Sequence, residues 1–209
     1  MWSPSVIVTP PAALPLAVAD VRAHCYADPG GADDSVLGAY LAAAVDTVQA
    51  ITGLRLITQT VQLTRRHWGD GYTGRVWENA WGRWGGPMRF PIGPVQSVAF
   101  TYLDPTETQQ TLDASTYAFV SAGSLAPEVA LVGGKWWPPV YDHPAAITCT
   151  ATVGYGADGT SVPGSILQAI KLLVGDYFAN REDTIAERSV VPATLPNGVD
   201  RLLANFRIW

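Results

Sequence analysis

Apolar residues recur at helical spacing through Val162–Glu182. Ile166, Ile170, Leu173 and Tyr177 stand four, three and four apart, and Leu167, Val174 and Phe178 widen the stripe. Pro163 suits a first helical turn, where its missing N–H costs nothing. The pattern predicts a helix over 163–181, about 28 Å long at ~1.5 Å per residue. So broad an apolar face needs a partner, and the matching stripe lies far back in the chain. Leu37, Leu41, Ala44, Val48 and Ile51 alternate steps of four and three. They predict a helix over 34–52, capped by Asp33, Asp34 or Ser35 and closed by Gly53. The small residues Ala39, Ala42, Ala43 and Ala44 permit close helix approach. A shorter helix is expected over 16–27, with Leu16, Ala19, Ala23 and Tyr26 roughly on one face. A last one is expected over 196–205, with Val199, Leu202 and Leu203 on one side.

Between the two long helices the period drops towards two. Thr58–Arg65 alternates and is rich in Thr and Val, which predicts a strand. Further strands are expected at Met88–Phe90, Val95–Leu103, Tyr117–Val120, Val129–Val132 and Ala146–Val153. The short connections favour antiparallel pairing, because a parallel crossover needs a dozen residues or more. The pattern thus predicts an α+β fold in four parts. An extended N-terminal arm covers 1–15, where four prolines stand, and has no core of its own. A helical core is formed by 16–57 plus 160–205, a β-rich domain is inserted at 58–156, and a C-terminal tail covers 206–209.

Composition narrows the function classes. Charged residues make up 15% of the 209, against a typical ~25%. A monomer needs a solvated surface, so a shortage of charge points to surface covered by partners. Eight Trp, eight Tyr and five Phe point the same way, since aromatics are enriched at interfaces. The net charge of −5 argues against a protein that grips nucleic acid, whose affinity comes from Lys and Arg on phosphates. Cys25 and Cys149 show no metal spacing and read as buried free thiols, which suits synthesis in a reducing cytosol. The opening MWSPSVIVTPP lacks the charged start and apolar run of a signal peptide. No run of 18 apolar residues stands in the sequence, so no membrane span is expected.

Chemistry finds little footing. Gly154, Gly156 and Gly159 match the G-x-G-x-x-G dinucleotide fingerprint, between a strand and a helix. Ser161, Val162 and Pro163 then separate the last glycine from the helix, and no second parallel strand or acidic residue follows. A glycine-rich turn is the better reading. His24, His67 and His143 stand outside any metalloprotease motif, and no G-x-S-x-G nucleophile turn occurs. No catalytic residue, metal ligand or cofactor is assigned. Asp28, Asp33 and Asp34 are read as capping and turn residues. The loop 68–87 carries Trp68, Tyr72, Trp77, Trp81 and Trp84, a set suited to a lid or a subunit contact. A carbohydrate- or receptor-binding module built on that loop is the alternative, and an enzyme with an unrecognised site is a further rival. Trp136-Trp137 before Pro138-Pro139 reads as a corner capping the sheet.

Three segments carry a family resemblance: LPLAVADVRAH, TGLRLITQTVQLT and VGYGADGTSVPGSILQAIKLLVGDYFANRE. They resemble the head–tail connector (adaptor) family of tailed phages, prophages and gene transfer agents. The matched positions include Leu14, Pro15 and Ala19; Thr52, Gly53, Arg55, Ile57, Thr58, Gln59 and Thr60; and Gly154, Tyr155, Gly156 and Pro163. On the long helix they are Ala169, Leu172, Leu173, Tyr177, Asn180, Arg181 and Glu182. Pro94-Val95, Ser97-Val98, Tyr102-Leu103-Asp104 and the closing LPNGVDRLLANFR extend the likeness over most of 14–207. The Trp-rich insert departs from the pattern, where a shorter link is expected, and Ile208-Trp209 is not covered.

The resemblance implies a structural virion protein at the head–tail junction. It implies a ring, typically of twelve copies, below the portal and around the DNA channel. The portal lies on one side, a tail-side stopper or terminator on the other, and DNA passes without specific binding. No membrane is involved, and synthesis takes place in the bacterial host cytoplasm. An acidic balance suits a channel through which DNA slides. The C-terminal segment would dock on the portal. Leu202, Leu203, Phe206, Arg207, Ile208 and Trp209 are its candidate contacts, apolar and aromatic anchors with one cation.

Overall fold

The computed structural model describes residues 1–27, 33–69, 87–120, 125, 127–180 and 197–208. It is an α+β protein of two compact units. One unit takes its described residues from Met1–Pro10, Gln59–Gly154 and Ile208. The other takes them from Pro11–Thr58 and Tyr155–Arg207.

The first unit is built on antiparallel sheet. Strands β1 (Val6–Thr9), β2 (Gln59–Arg65), β3 (Met88–Arg89), β4 (Val95–Leu103), β5 (Gln109–Thr111), β6 (Tyr117–Phe119), β7 (Glu128–Leu131) and β8 (Ile147–Val153) follow in chain order. Five of them form a sheet in the order β1-β2-β8-β4-β5, and three form another in the order β3-β7-β6. Every pairing in both is antiparallel. The alternation read in β2 and β8 decides which face turns inward. Val61 and Leu63 on β2, with Ile147, Cys149, Ala151 and Val153 on β8, are fully buried. In register, Leu63 lies opposite Cys149, and Cys149 opposite Phe100 of β4. Met88 of β3 and Val129 of β7 join the same core, so the second sheet closes over the first.

Strands β1 and β5 are additions to the elements expected from sequence. Residues 6–9 lie in the stretch read as an arm, and they pair with β2. The signal was a β-branched run, Val6-Ile7-Val8, framed by Pro4 and Pro10. Prolines suit an extended arm, and they are equally tolerated at a sheet edge. Residues 109–111, Gln-Gln-Thr, carry no alternation at all and become a strand only by pairing with β4.

The second unit is helical. Helix α1 spans Val18–Cys25, α2 Asp33–Thr52, α3 Gly164–Ala179 and α4 Asn197–Leu203. Leu37, Leu41, Ala44, Val45 and Val48 of α2 are buried, as are Ile166, Ala169, Ile170, Leu173 and Val174 of α3. Gly53 takes φ 75° after α2, and its N–H donates to the Gln49 carbonyl at 2.9 Å, the closure its position predicted. Pro163 stands just before α3 rather than inside it. Of the stripe expected here, Leu16 stands before α1 and is half-buried, and Ala19, Ala23 and Tyr26 are exposed, while Val21 is buried and Val18 and Cys25 are half-buried. Branched Val21 buries more apolar area than an alanine, so the Val18–Val21–Cys25 line faces the core. The Arg22 guanidinium grips Asp34 with two contacts, 2.8 Å and 2.5 Å, and so ties α1 to α2.

By length and composition α2 could cross a membrane, with a mean hydropathy of 1.3 in its best window. The sequence reading expected no such stretch. Its apolar residues are spent on packing against α1 and α3, which is why a helix this apolar sits in the core.

Candidate docking surfaces

The aromatic corner of the β unit is built from Trp68, just beyond β2, and the Trp136-Trp137 pair before Pro138. Trp68 stacks on Trp137 with ring centroids 4.7 Å apart and planes 6° from parallel. It meets Phe100 and Tyr102 edge-on at 5.8 Å and 5.9 Å. Its indole N–H donates to the Pro138 carbonyl at 2.9 Å. One face and the polar handle of Trp68 are therefore committed inside the unit. Trp137 packs on the sheet core, as the corner reading expected, while Trp136 is about half exposed at 48%. Tyr72, Trp77, Trp81 and Trp84, read with Trp68 as a subunit contact or sugar platform, lie outside the described residues.

The N-terminal segment has an aromatic clasp that sequence reading missed. Trp2 stacks on Phe90 at 5.4 Å, and the Arg65 guanidinium lies 4.6 Å from the centre of its ring. The Trp2 indole N–H donates to the Arg89 carbonyl at 2.7 Å. Ser3 and Thr64 exchange two further bonds, each 2.8 Å. Beyond this clasp, β1 is exposed along its whole length. Val6, Ile7 and Val8 show 64%, 53% and 55% of their surfaces. β1 forms one edge of the five-stranded sheet, and β5, also exposed throughout, forms the other.

The three fingerprint glycines serve the chain itself. Gly154 takes φ 124° at the end of β8, a conformation open chiefly to glycine. Gly156 makes a parallel bridge to Ile57, and its carbonyl accepts from the Thr58 N–H at 2.8 Å. A Cβ at Gly159 would stand 1.8 Å from the Pro15 carbonyl oxygen, so glycine there lets two loops meet. Asp158 caps the 3₁₀ turn Gly159–Ser161, accepting from the Thr160 hydroxyl at 2.5 Å and its N–H at 2.9 Å. Those bonds hold its carboxyl below the ordinary aspartate range.

The C-terminal candidates fall in different surroundings. Leu203 is fully buried and belongs to the helical core, as does Val199. Leu202, Phe206, Arg207 and Ile208 are half-buried. Arg207 pairs with Asp200 of α4, seven residues back in the chain. A Cβ at Gly93 would stand 3.2 Å from Ile208 Cδ1, so this isoleucine lies against the Gly93 turn of the β unit. Trp209 lies outside the described residues.

The whole chain has counterparts among solved structures. It matches a chain of the virion of a native gene transfer agent particle with a TM-score of 0.73 and 25% identity, covering 98% of this chain and 95% of that one. It matches a chain in the neck of an empty particle of that kind, computed with C6 symmetry, at 0.71 and 25%, covering 97% and 94%. A chain in the neck of a native particle, computed with C12 symmetry, matches at 0.68 and 26%, covering 99% and 94%. The chain is similar to the head–tail connectors of gene transfer agents. The resemblance read from the sequence is thus borne out over nearly the full length.

No protein-family model matches the connector-like chain, and no curated protein sequence matches it. The cyclic symmetry of the matched necks supports a ring of copies.

Proposed function

We propose that this chain is a structural neck protein acting as a head–tail connector. It forms a ring, of twelve copies, between the portal and the tail-side stopper or terminator. DNA passes through the ring without specific binding. The observation that carries the reading is the match over 97–99% of this chain to subunits of gene transfer agent necks computed with C6 and C12 symmetry. Low charge and abundant aromatics support it, since a ring subunit covers much of its surface with neighbours. The helical unit carries most of the acidic excess. Its sequence holds 11 Asp and Glu against 7 Lys and Arg, whereas the β unit holds 7 against 6. Like charge facing the DNA would keep it from sticking.

The C-terminal segment is the proposed portal contact, through Phe206, Arg207, Ile208 and Trp209. Leu202 and Leu203 hold its base, Leu203 from within the helical core. The protein is made in the host cytoplasm and works in the virion. Labelling the chain in purified particles and imaging them tests the role. A ring of label at the head–tail junction is expected. Label on the tail fibres or the capsid surface would overturn the reading and favour a receptor-binding role instead.

A further inference from the structure

Among the described residues, the five-stranded sheet has two uncovered edges of opposite character. β1 shows Val6, Ile7 and Val8, each more than half exposed, with no charged residue to guard them. Natural proteins usually blunt such an edge with charge or cover it. Here Pro4 and Pro10 bound it and a register shift at Val8 bends it, so pairing is confined to a short segment. At the far edge, Asp104 N–H donates to the Thr108 carbonyl and Leu112 N–H to the Phe100 carbonyl, each at 2.9 Å. Antiparallel alternation then turns the backbone groups of Gln109 and Thr111 away from β4. One edge is apolar and the other polar, and both offer backbone.

We infer that β1 of one copy pairs with β5 of the next, so that the sheet runs on from subunit to subunit around the ring. This rests on the connector reading, because a closed ring requires a heterologous contact between two different patches of one chain. The two edges of a single sheet meet that requirement. Each neighbouring pair in the order β1-β2-β8-β4-β5 is antiparallel, so β1 and β5 run in the same direction. Rotation about a ring axis keeps that direction, and the junction is a parallel pairing of three or four residues. Parallel pairing is the weaker kind per residue. Three exposed side chains also fall short of the ~800 Å² per partner of a stable complex. The junction therefore closes when copies are held side by side on a common platform, where each contact is effectively intramolecular.

The test uses particles carrying Val6→Cys and Thr111→Cys together, which the register places on one face of the sheet, with Cys25→Ser to remove the half-buried thiol, and a short bismaleimide. A ladder of cross-linked multimers that needs both new cysteines is expected. Ile7→Lys added to that cysteine pair, which puts charge on the edge, should abolish the ladder and reduce the chain in particles at least tenfold. Its unfolding midpoint should stay that of the parent, since the side chain is exposed. Rings present at the junction with no ladder would overturn the inference and leave the connector reading standing. A dimer formed by Val6→Cys alone would overturn it in favour of a two-fold contact between β1 strands. Particles without this chain at the junction would overturn both.

Discussion

The hydroxyls of Thr47 and Tyr177 lie 3.3 Å apart across α2 and α3, although 130 residues separate them in the chain. Tyr40 meets the same Tyr177 ring edge-on at 6.1 Å. The helical core is thus closed by segments from both ends of the sequence, with the β unit contributed by the chain between. Leu173 sits in that contact with 2% of its surface exposed. Leu173→Ala should cost about 2–5 kcal/mol, as truncation of a buried leucine does. Urea unfolding measures it. A loss under about 0.5 kcal/mol, the range of a surface change, would place that face outside the core.

Trp68 separates a packing role from a contact role. Its stack on Trp137 and its bond to the Pro138 carbonyl predict that Trp68→Ala costs about 3 kcal/mol, near the low end for a large aromatic because it is only half-buried. Trp68→Phe should recover part of that. If both variants melt like the parent while ring incorporation falls, Trp68 acts between subunits.

A pair of glycines tests the fingerprint. Gly159→Ala would push a Cβ to within 1.8 Å of the Pro15 carbonyl and should destabilise by about 1–3 kcal/mol through backbone displacement. Gly164→Ala, in the first turn of α3 with open space around it, should be neutral or gain up to about 1 kcal/mol in helix propensity. Thermal melting of the two side by side decides. Equal melting would remove the close approach as the reason for Gly159.

The thiols differ in depth. Burial pushes the Cys149 thiol up to about 12, with Arg65 pulling weakly the other way, and Cys25 is raised by burial too. A thiol reagent at pH 8 should reach Cys25 slowly in the native protein and Cys149 only after unfolding. Because Cys149 stays neutral when folded but ionises near pH 8.5 when unfolded, its contribution to stability is complete below that pH. It is lost as the pH climbs towards about 12. Rapid labelling of both native thiols would show that the β8 face opens readily.

The tail makes a separable claim. Deleting residues 204–209 spares Val199 and Leu203, which are buried in the helical core. The melting temperature should change by no more than a few degrees, while capture by the portal is lost and heads accumulate without tails. Loss of folding would instead mean that Ile208, against the Gly93 turn, belongs to the core of its unit.

Periodicity by itself determined the two long helices, because each buries one broad stripe and the stripe is written in the spacing of Leu37 to Val48 and Ile166 to Val174. It determined β2, β4 and β8 as well, since each carries β-branched or aromatic residues in a run between turn signals. The glycine after α2 was legible for the same local reason: a left-handed turn needs it. Only the tertiary structure decided the rest. Gln109–Thr111 is a strand because β4 lies beside it, and nothing in its own residues demands one. Val6–Thr9 became an edge strand because Trp2 and Ser3 fasten the chain to Arg89 and Thr64, partners more than sixty residues away. The alanine stripe of α1 faces outward because Val21 competes for the interior and buries more surface. Local propensity acts through neighbours along the chain. Edges, faces and docking surfaces depend on which distant residues arrive alongside, and that information exists only once the chain has folded.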